Sequence, residues 1–564
     1  MADTPRRLLS RHFFASLFDF GFLSDAGAES FKKLLLGASA AAVALGLLLV
    51  RILSAKYIVL LRGTPPDYQR EIIVDHAFLM AMPMWLAAFA VVLVGHALFP
   101  DEADFRILMP QPISRAVIFR AKLAALLRFT ALVIAASHAA LLLMLIITAF
   151  HRLAATNGFL LIVVFEAVSV VASISAVLAI VALHGVLVLA APRTRFAGIS
   201  TLVRSALICA LVLSLPLLLR LPGQGRTVQG QPWWLAWTPP MWFVGVERWL
   251  LGLGGPVVSL APIALVAIIV AATIAAGSYA ILYRRFDRVM LRPQTRVGPP
   301  RSARSLAWTS RRPVRHAIRV FAGLTLRRSV LHQGIVVALA AAAAGFVMNG
   351  LLAAQAPPRG RFRPPPEAAS IALAAWAPFV LMFIAAPAIR LALSIPIEPR
   401  ANWIFRMTEA DHTRADAIGA GVQTTIWIGV LTPIAIATPF LWALVGPVAL
   451  AIAAIDVLLG WLLVEVLLDD WRRIPFTCSY VPGKTFVPQM LIKGLAGFLL
   501  FTGLGTLAAQ LIIEIPAAAL VIAVVAGVPA AGMMVRRRST ARHAPLVFED
   551  QLPSEINELK LTAD

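Results

Sequence analysis

Residues 158–191 read GFLLIVVFEAVSVVASISAVLAIVALHGVLVLAA, and only Glu166 and His184 in this run can carry a charge. A helix needs about 20 apolar residues to cross a hydrocarbon core about 30 Å thick. Similar runs recur along all 564 residues, of which 60% are hydrophobic and only 14% are charged. A soluble protein carries nearer a quarter charged residues. The sequence therefore predicts an all-α, polytopic helical membrane protein.

The apolar runs predict about twelve transmembrane helices, arranged as two halves of six. The predicted spans are 34–53, 77–99, 121–150, 158–191, 198–219 and 256–283, followed by 334–354, 369–395, 420–444, 447–468, 491–513 and 517–535. The predicted domains are a first membrane half over 1–283 with an N-terminal interfacial helix at 6–33, an Arg/Pro-rich linker over 284–313, a second half over 314–535, and a tail over 536–564.

Lysine and arginine predict the orientation of the spans, because cytoplasmic loops of membrane proteins are enriched in both. With the N-terminus inside, the cytoplasmic segments hold 37 of the 50 basic residues and the external segments hold 10. Both termini are therefore expected in the cytoplasm. The net charge of +22 is assigned to orientation and to contact with anionic lipid, and no nucleic-acid partner is expected.

Two charged loops follow the second span of their respective halves. The first, 99–122, reads FPDEADFRILMPQPISRAVIFRAK, and the second, 395–418, reads IPIEPRANWIFRMTEADHTRADAI. Both begin with proline and acid and continue through an apolar, basic centre. Each is either a docking surface for another protein or an ordinary loop between helices.

Tryptophan is concentrated in an external segment before the sixth span. The residues are Trp233, Trp234, Trp237, Trp242 and Trp249. Tryptophan favours the interface between membrane and water, so an interfacial or re-entrant helix is predicted over 233–252. Such a helix could serve as an aromatic anchor or as a gate.

No catalytic motif, metal-ligand spacing or complete nucleotide-binding loop is found in the sequence, so neither an enzyme activity nor a cofactor is expected in this chain. The segment VPGKT at 481–485 ends like a phosphate-binding loop, but Cys478 stands where that motif requires glycine. The remaining candidates are ionisable residues within the spans, namely His96, Arg128, His138, Glu166, His184, Asp456 and Glu465.

Helical spacing constrains some of these candidates. Glu166 and His184 lie 18 residues apart, on one face of a helix but too far apart to touch. Arg128, Asp456 and Glu465 are expected close enough to span ends to reach the interface or to pair locally. The set as a whole could form a proton relay or structural pairs between helices.

Four stretches, 96–123, 238–250, 398–409 and 473–484, resemble a two-lobed bacterial group of ABC transporter permeases of the type-2 exporter class. The resemblance implies an interfacial helix and six spans per half, a cytoplasmic coupling helix after the second span, and a short external helix before the sixth. It also implies the bacterial cytoplasmic (inner) membrane as the location. In the second half only EIP (514–516) joins the last two spans, so the external helix is expected to be missing or very short there.

The same resemblance implies a separate ATPase subunit, in two copies, which would bind the ATP and Mg that this chain does not. The implied contacts with that subunit are Asp101, Glu102, Asp104, Arg106 and Arg115 in the first loop, and Arg400, Asn402, Arg406 and Glu409 in the second. A secondary, ion-coupled transporter with six plus six spans and a non-transporting membrane scaffold remain alternatives. The loop 99–122 lacks the Gly–Asp–Arg–Gly pattern usual at that place in the major facilitator layout.

Overall fold

The computed structural model describes residues 5–16, 56, 65–94, 108, 110–150, 158–191, 193–219, 221–222, 237–290, 312–355, 366–397, 402–407, 409–478, 487–543 and 545–547. These residues are overwhelmingly helical and include no strand. Ten helices in these ranges are long and apolar enough to cross a membrane. The predicted fold class, an all-α polytopic membrane protein, is confirmed.

The chain divides into two compact units. One comprises residues 1–20 and 31–296, and the other comprises 21–30 and 297–564. The main boundary lies within the predicted linker 284–313. Helix formation continues to Met290, however, so residues 284–290 extend the last helix of the first unit.

Seven helices are described in the first unit. They are α1 (Pro5–Ser16), α2 (Pro65–Leu93), α3 (Arg115–Phe150), α4 (Gly158–Ala190), α5 (Arg193–Leu218), α6 (Pro239–Leu250) and α7 (Ala261–Met290). Helices α2, α4, α5 and α7 carry candidate spans, and α3 covers the predicted span 121–150. The predicted span 34–53 lies outside the described residues.

The core of the first unit lies where α2, α4, α6 and α7 meet. Phe78 of α2, Phe165 of α4 and Phe243 of α6 are among its fully buried side chains. Lipid tails are as apolar as these rings, so within a bilayer the packing stabilises mainly through van der Waals contact. Helix α6 is thereby fixed against the membrane bundle.

Nine helices are described in the second unit. They are α8 (Pro313–Arg328), α9 (Val330–Gln355), α10 (Pro366–Ser394), α11 (Asn402–Met407), α12 (Asp411–Ile426), α13 (Thr432–Val445), α14 (Val448–Leu467), α15 (Val487–Glu514) and α16 (Ala518–His543). All six spans predicted for this half overlap candidate membrane helices.

One π-helical turn, Trp427–Leu431, joins α12 and α13 into a single membrane-length segment. Gly429 lies in this turn, and a Cβ atom there would be 2.9 Å from the Cα of Ala386 in α10. A side chain would therefore push the two backbones apart. The wider turn and the missing side chain together allow α10 to pack closely at this point.

The end of the described chain folds back onto the second unit. Helix α16 continues to His543, so residues 536–543 belong to the last helix and not to the predicted tail. Beyond it, Leu546 donates its N–H to the Glu409 carboxylate at 3.0 Å, and Val547 donates to the Arg472 carbonyl at 2.8 Å. The thiol of Cys478 in turn contacts the Val547 carbonyl at 3.2 Å. Residues 545–547 are thus bonded to the loops after α11 and α14.

Candidate functional site

The predicted ATPase-contact residues are only partly within the described ranges. Those outside are Asp101, Glu102, Asp104, Arg106 and Arg400. Asn402 and Arg406 lie in helix α11, although their side chains are likewise not described. Arg115 begins α3, directly after Ser114, and Glu409 lies between α11 and α12.

Helix α1 packs beside α3 and over the end of the first charged loop. Phe13 is buried there in a small apolar cluster that Leu108 and Ile113 of the loop also join. Arg128 of α3 donates to the hydroxyl of Ser10 in α1 at 3.1 Å. The N-terminal amphipathic helix, observed over Pro5–Ser16, is therefore in contact with the segment that leads into α3.

Helix α11 lies in the second charged loop, between the membrane helices α10 and α12. Phe405 anchors it, with its ring centroid 5.8 Å from that of Phe321 in α8. On the outside, Ile404 is 47% exposed and Met407 is 78% exposed. We call these two side chains the α11 surface.

Glu409, predicted to contact a partner, makes its described bonds within the chain. Arg414 Nε donates to its carboxylate at 2.6 Å, and the Leu546 N–H donates to the same oxygen at 3.0 Å. Charge-assisted hydrogen bonds of this kind hold a loop strongly. In the described structure Glu409 therefore bonds both to Arg414, at the start of α12, and to the segment 545–547, and so holds the two together.

Helix α6 lies inside the predicted external segment 233–252. It has 12 residues, too few to cross a membrane, and packs against α2, α4 and α7. Trp237 and Trp249 at its two ends are exposed, whereas Trp242 is half-buried against the core of the first unit. Trp233 and Trp234 lie outside the described residues.

A buried polar contact attaches α6 to α2. The Glu247 carboxylate lies 2.7 Å from His76 Nδ1, and both side chains are nearly inaccessible to solvent. One turn away, Lys56 Nζ lies 2.7 Å from Glu71 and 2.8 Å from Asp75. Sequence reasoning missed these residues. Two acids four positions apart at the start of a span, with a histidine next to the second, are the signal that could have identified them.

Arg248 stabilises the turn that follows α6. Its Nε and Nη2 donate to the Gly254 carbonyl at 3.0 and 2.6 Å, and its guanidinium packs over Gly255, which has φ of +128°. Burial lowers the pKa of Arg248, and the adjacent Glu247 charge opposes that shift. Arginine nevertheless stays charged in proteins, so this turn keeps a buried cation beside α6.

A second polar pair, with His138 buried and Glu166 partly exposed, joins α3 to α4 within the membrane region. His138 Nδ1 lies 2.8 Å from Glu166 Oε2, and His138 Nε2 lies 3.3 Å from the Ser173 hydroxyl. Because Ser173 donates to the Ser169 carbonyl, its oxygen is the acceptor for the Nε2 proton. His138 is thus held by two residues of α4, Glu166 and Ser173.

A cavity of about 1090 Å³ lies beside this pair, between α3, α4 and α7. His138 lines one end, and Ala116, Arg120 and Tyr283 line the other. The rise of α3 from Ala116 to His138 corresponds to a length of about 33 Å. Most of the wall is aliphatic, so the cavity can hold an elongated apolar group with the polar pair of His138 and Glu166 at one end.

The other predicted intramembrane residues have separate environments. His184 is buried and pairs with its own helix, since Nδ1 lies 3.0 Å from the Ile180 carbonyl. Glu465 is paired with Arg537. The prediction for Asp456 was wrong, because it is buried in the middle of α14 and cannot reach the interface. His96 lies outside the described residues.

Within the described ranges, no three His, Cys, Asp or Glu side chains converge as a bound metal ion would require. Comparison of the chain with family models, with curated proteins and with solved structures gave no match. The function must therefore be argued from the helices and side chains described above.

Proposed function

We propose that this chain is the membrane-spanning permease subunit of an ATP-driven exporter of the ABC class, located in the bacterial inner membrane with both termini in the cytoplasm. A separate ATPase subunit, in two copies, supplies the energy by docking on the loops after the second span of each half. The observation that carries the proposal is the α11 surface. A short helix between two spans is anchored by Phe405 and exposes Ile404 and Met407.

The order of elements in the two units supports the same assignment. Each unit has an amphipathic helix, α1 or α8, before its described spans. In the first unit a short helix, α6, precedes the last span, as the resemblance to type-2 permeases implies. In the second unit α15 and α16 are joined by three residues, which leaves no room for an equivalent of α6.

The contacts of α11 provide a route by which a partner could move membrane helices. Movement of α11 reaches α8 through the rings of Phe405 and Phe321. It reaches α12 through the ion pair of Glu409 and Arg414. Hydrolysis in the ATPase would therefore act on an interfacial helix and on a membrane helix at the same time.

On the opposite side of the first unit, α6 is suited to close an outlet. Its Glu247 is held to His76 of α2 in a buried contact, and release of substrate would require that this contact loosen. Substrate release would thus act on α6 and α2 of the first unit.

The proposal is tested by purifying the tagged chain from its native membranes and identifying what accompanies it. We expect an ATPase with a complete phosphate-binding loop. We expect Met407→Glu to weaken its association, because a charge replaces an apolar contact, and Met407→Leu to preserve it. Reversing the charges of Asp101, Glu102 and Asp104 together should also weaken the association and the hydrolysis that it stimulates.

The matched control is Glu514→Lys, which reverses an exposed charge at the predicted external end of α15. It should leave the association and the ATPase rate unchanged. Absence of any accompanying ATPase would overturn the proposal. So would an ATPase that binds the Met407→Glu and charge-reversed chains as tightly as the unaltered chain.

A proton-coupled secondary transporter is the second candidate, and the pair of His138 and Glu166 beside the cavity favours it. Proton coupling would require this pair to take up and release a proton during transport. Transport into vesicles that contain this chain without an ATPase distinguishes the secondary transporter from the ATP-driven permease. Uptake driven by a pH gradient without ATP, and abolished by Glu166→Gln, would favour the secondary transporter.

A further inference from the structure

Four helices of the second unit meet at one end of their membrane spans and enclose a pocket of about 210 Å³. The pocket lies at the C-terminal ends of α14 and α16, at the start of α12, and beside the amphipathic helix α8. We call it the α8–α16 pocket. Its lining includes Arg315, Gly419, Gln423, Glu465, Arg537 and Arg538.

The one acid in this lining, Glu465, is already occupied by other partners. Arg537 donates to both of its oxygens, from Nε at 2.8 Å and from Nη2 at 3.0 Å. The indole N–H of Trp461 also donates to it at 3.0 Å. Arg537 neutralises the carboxylate, and these three bonds occupy both of its oxygens. Glu465 therefore does not compensate the charge of another cation at the pocket.

Positive charge therefore remains at the pocket. Asp416, beside the pocket, is shared by Arg315 at 2.8 Å and Arg312 at 3.5 Å. Arg538 is exposed and has no hydrogen bond or ion pair in the described part of the chain. Among the arginines that line the pocket, Arg537 pairs with Glu465 and Arg315 pairs with Asp416, so the charge of Arg538 is left over.

Arg315 lines the pocket and is not fully satisfied by its partners. Its Nε is buried without a hydrogen-bond partner in the structure. Burial lowers the pKa of Arg315, Asp416 opposes that shift, and the nearby charges of Arg312 and Arg538 add to it. A bound anion would offset the repulsion between these arginines.

Gly419 allows Arg315 to lie flat on α12. A Cβ atom at Gly419 would be 3.0 Å from Arg315 Nη2 and 3.1 Å from Cζ. A larger residue would lift the guanidinium away from the helix and into the pocket. The glycine thus keeps the space between Arg315, Gln423 and Arg538 open.

We propose that the α8–α16 pocket binds a phosphate group, with the headgroup of an anionic phospholipid as its source. The planar donors of arginine match the oxygens of phosphate, and basic pockets between membrane helices at the cytoplasmic side bind anionic headgroups. The pocket lies near the ends of the candidate spans in α12, α14 and α16, the ends at which headgroups are expected. This site is independent of the proposed transport function.

The test is a lipid titration of the purified full-length chain, followed by native mass spectrometry. The probes are phosphatidylglycerol, which is anionic, and phosphatidylcholine, which is zwitterionic. We expect phosphatidylglycerol to bind the unaltered chain more tightly. Because a basic residue near an anionic lipid surface contributes about 1 kcal/mol, removing two of them with Arg315→Gln and Arg538→Gln should weaken that binding on the order of 30-fold.

Arg328→Gln is the matched control, because it removes one arginine from the far end of α8. The single variant Arg538→Gln tests lipid binding in a chain that should still fold, because that side chain is exposed and its loss leaves no buried group unpaired. A second arm adds inorganic phosphate and measures thermal unfolding. If phosphate stabilises the unaltered chain but not the double variant, while the two lipids bind equally, the pocket takes a free phosphate. Equal behaviour of all variants in both arms, or an equal loss with Arg328→Gln, would overturn the proposal.

Discussion

Glu465 is 1% exposed, and Arg537 is the cation that neutralises it. Removal of one member of a buried ion pair leaves a charge without compensation, which typically costs about 3–5 kcal/mol. We therefore expect Arg537→Gln to lower the free energy of unfolding by about that amount. The double variant Glu465→Gln with Arg537→Gln should recover most of the loss, because no buried charge remains. Chemical unfolding in detergent micelles measures both.

The adjacent Arg536 provides the control for this prediction. It forms an ion pair with Asp469, but its side chain is 64% exposed. Exposed ion pairs contribute about 0–1 kcal/mol, so Arg536→Gln should have a small effect. If the two single variants lost the same stability, burial would not be what makes the pair of Glu465 and Arg537 important.

The sequence identified His138, Glu166 and Glu465 as ionisable residues within spans, but it could not say which residue each would meet. His138 and Glu166 lie on consecutive helices, and Glu247 and His76 are 171 positions apart in sequence. Helical periodicity places a residue on a face of its own helix only. The partner depends on which helices are neighbours, and that is decided by packing across the whole unit.

At the scale of elements, α6 depends on a close approach to the turn that follows it. A Cβ atom on Gly245 would collide with the Val257 carbonyl oxygen and lie 3.1 Å from the Ala261 backbone nitrogen. We expect Gly245→Ala to displace α6 from the first unit and to raise amide hydrogen exchange over Pro239–Leu250. Gly254→Ala is the control, since a Cβ there meets nothing within 4 Å. Equal exchange in the two variants would show that the close approach does not hold α6.

Apolar runs predicted the spans of the second unit well, because length and hydropathy decide whether a segment can cross a bilayer. The same signal failed at helix ends. Residues 536–543 are polar and basic, yet they continue α16, since a helix does not have to stop where the membrane does. The π turn at Trp427–Leu431 could not be predicted from the apolar runs either, because it depends on how closely α10 packs against it.

At the scale of the whole molecule, the distribution of basic residues makes a prediction about sidedness. Gly254 and Glu514 are expected outside the cell, whereas Ser114 and Thr540 are expected inside. The test starts from a chain in which Cys209 and Cys478 have been replaced by serine. A single cysteine is then introduced at one of these four exposed positions and shows on which side of the membrane that position lies. A membrane-impermeant maleimide should label the first two in intact cells and the other two only after permeabilisation. Labelling of Ser114→Cys or Thr540→Cys in intact cells would reverse the assigned orientation.

The fold class and the two-part organisation of the chain could be anticipated because both follow from the spacing of apolar and basic segments. The α8–α16 pocket could not. Arg315, Gly419, Glu465 and Arg538 come from four different helices, and only the folded second unit brings them together. Arginines near span ends are expected on orientation grounds alone, so their number gave no indication of a binding site.

The bond between Glu409 and Leu546 also sets the order in which this protein can mature. Leu546 follows Glu409 by 137 residues and emerges from the ribosome only after α16 has been made. Until then the loop that follows α11 lacks the backbone donor that completes it. The second charged loop therefore reaches its final set of hydrogen bonds only after every described membrane helix has been synthesised.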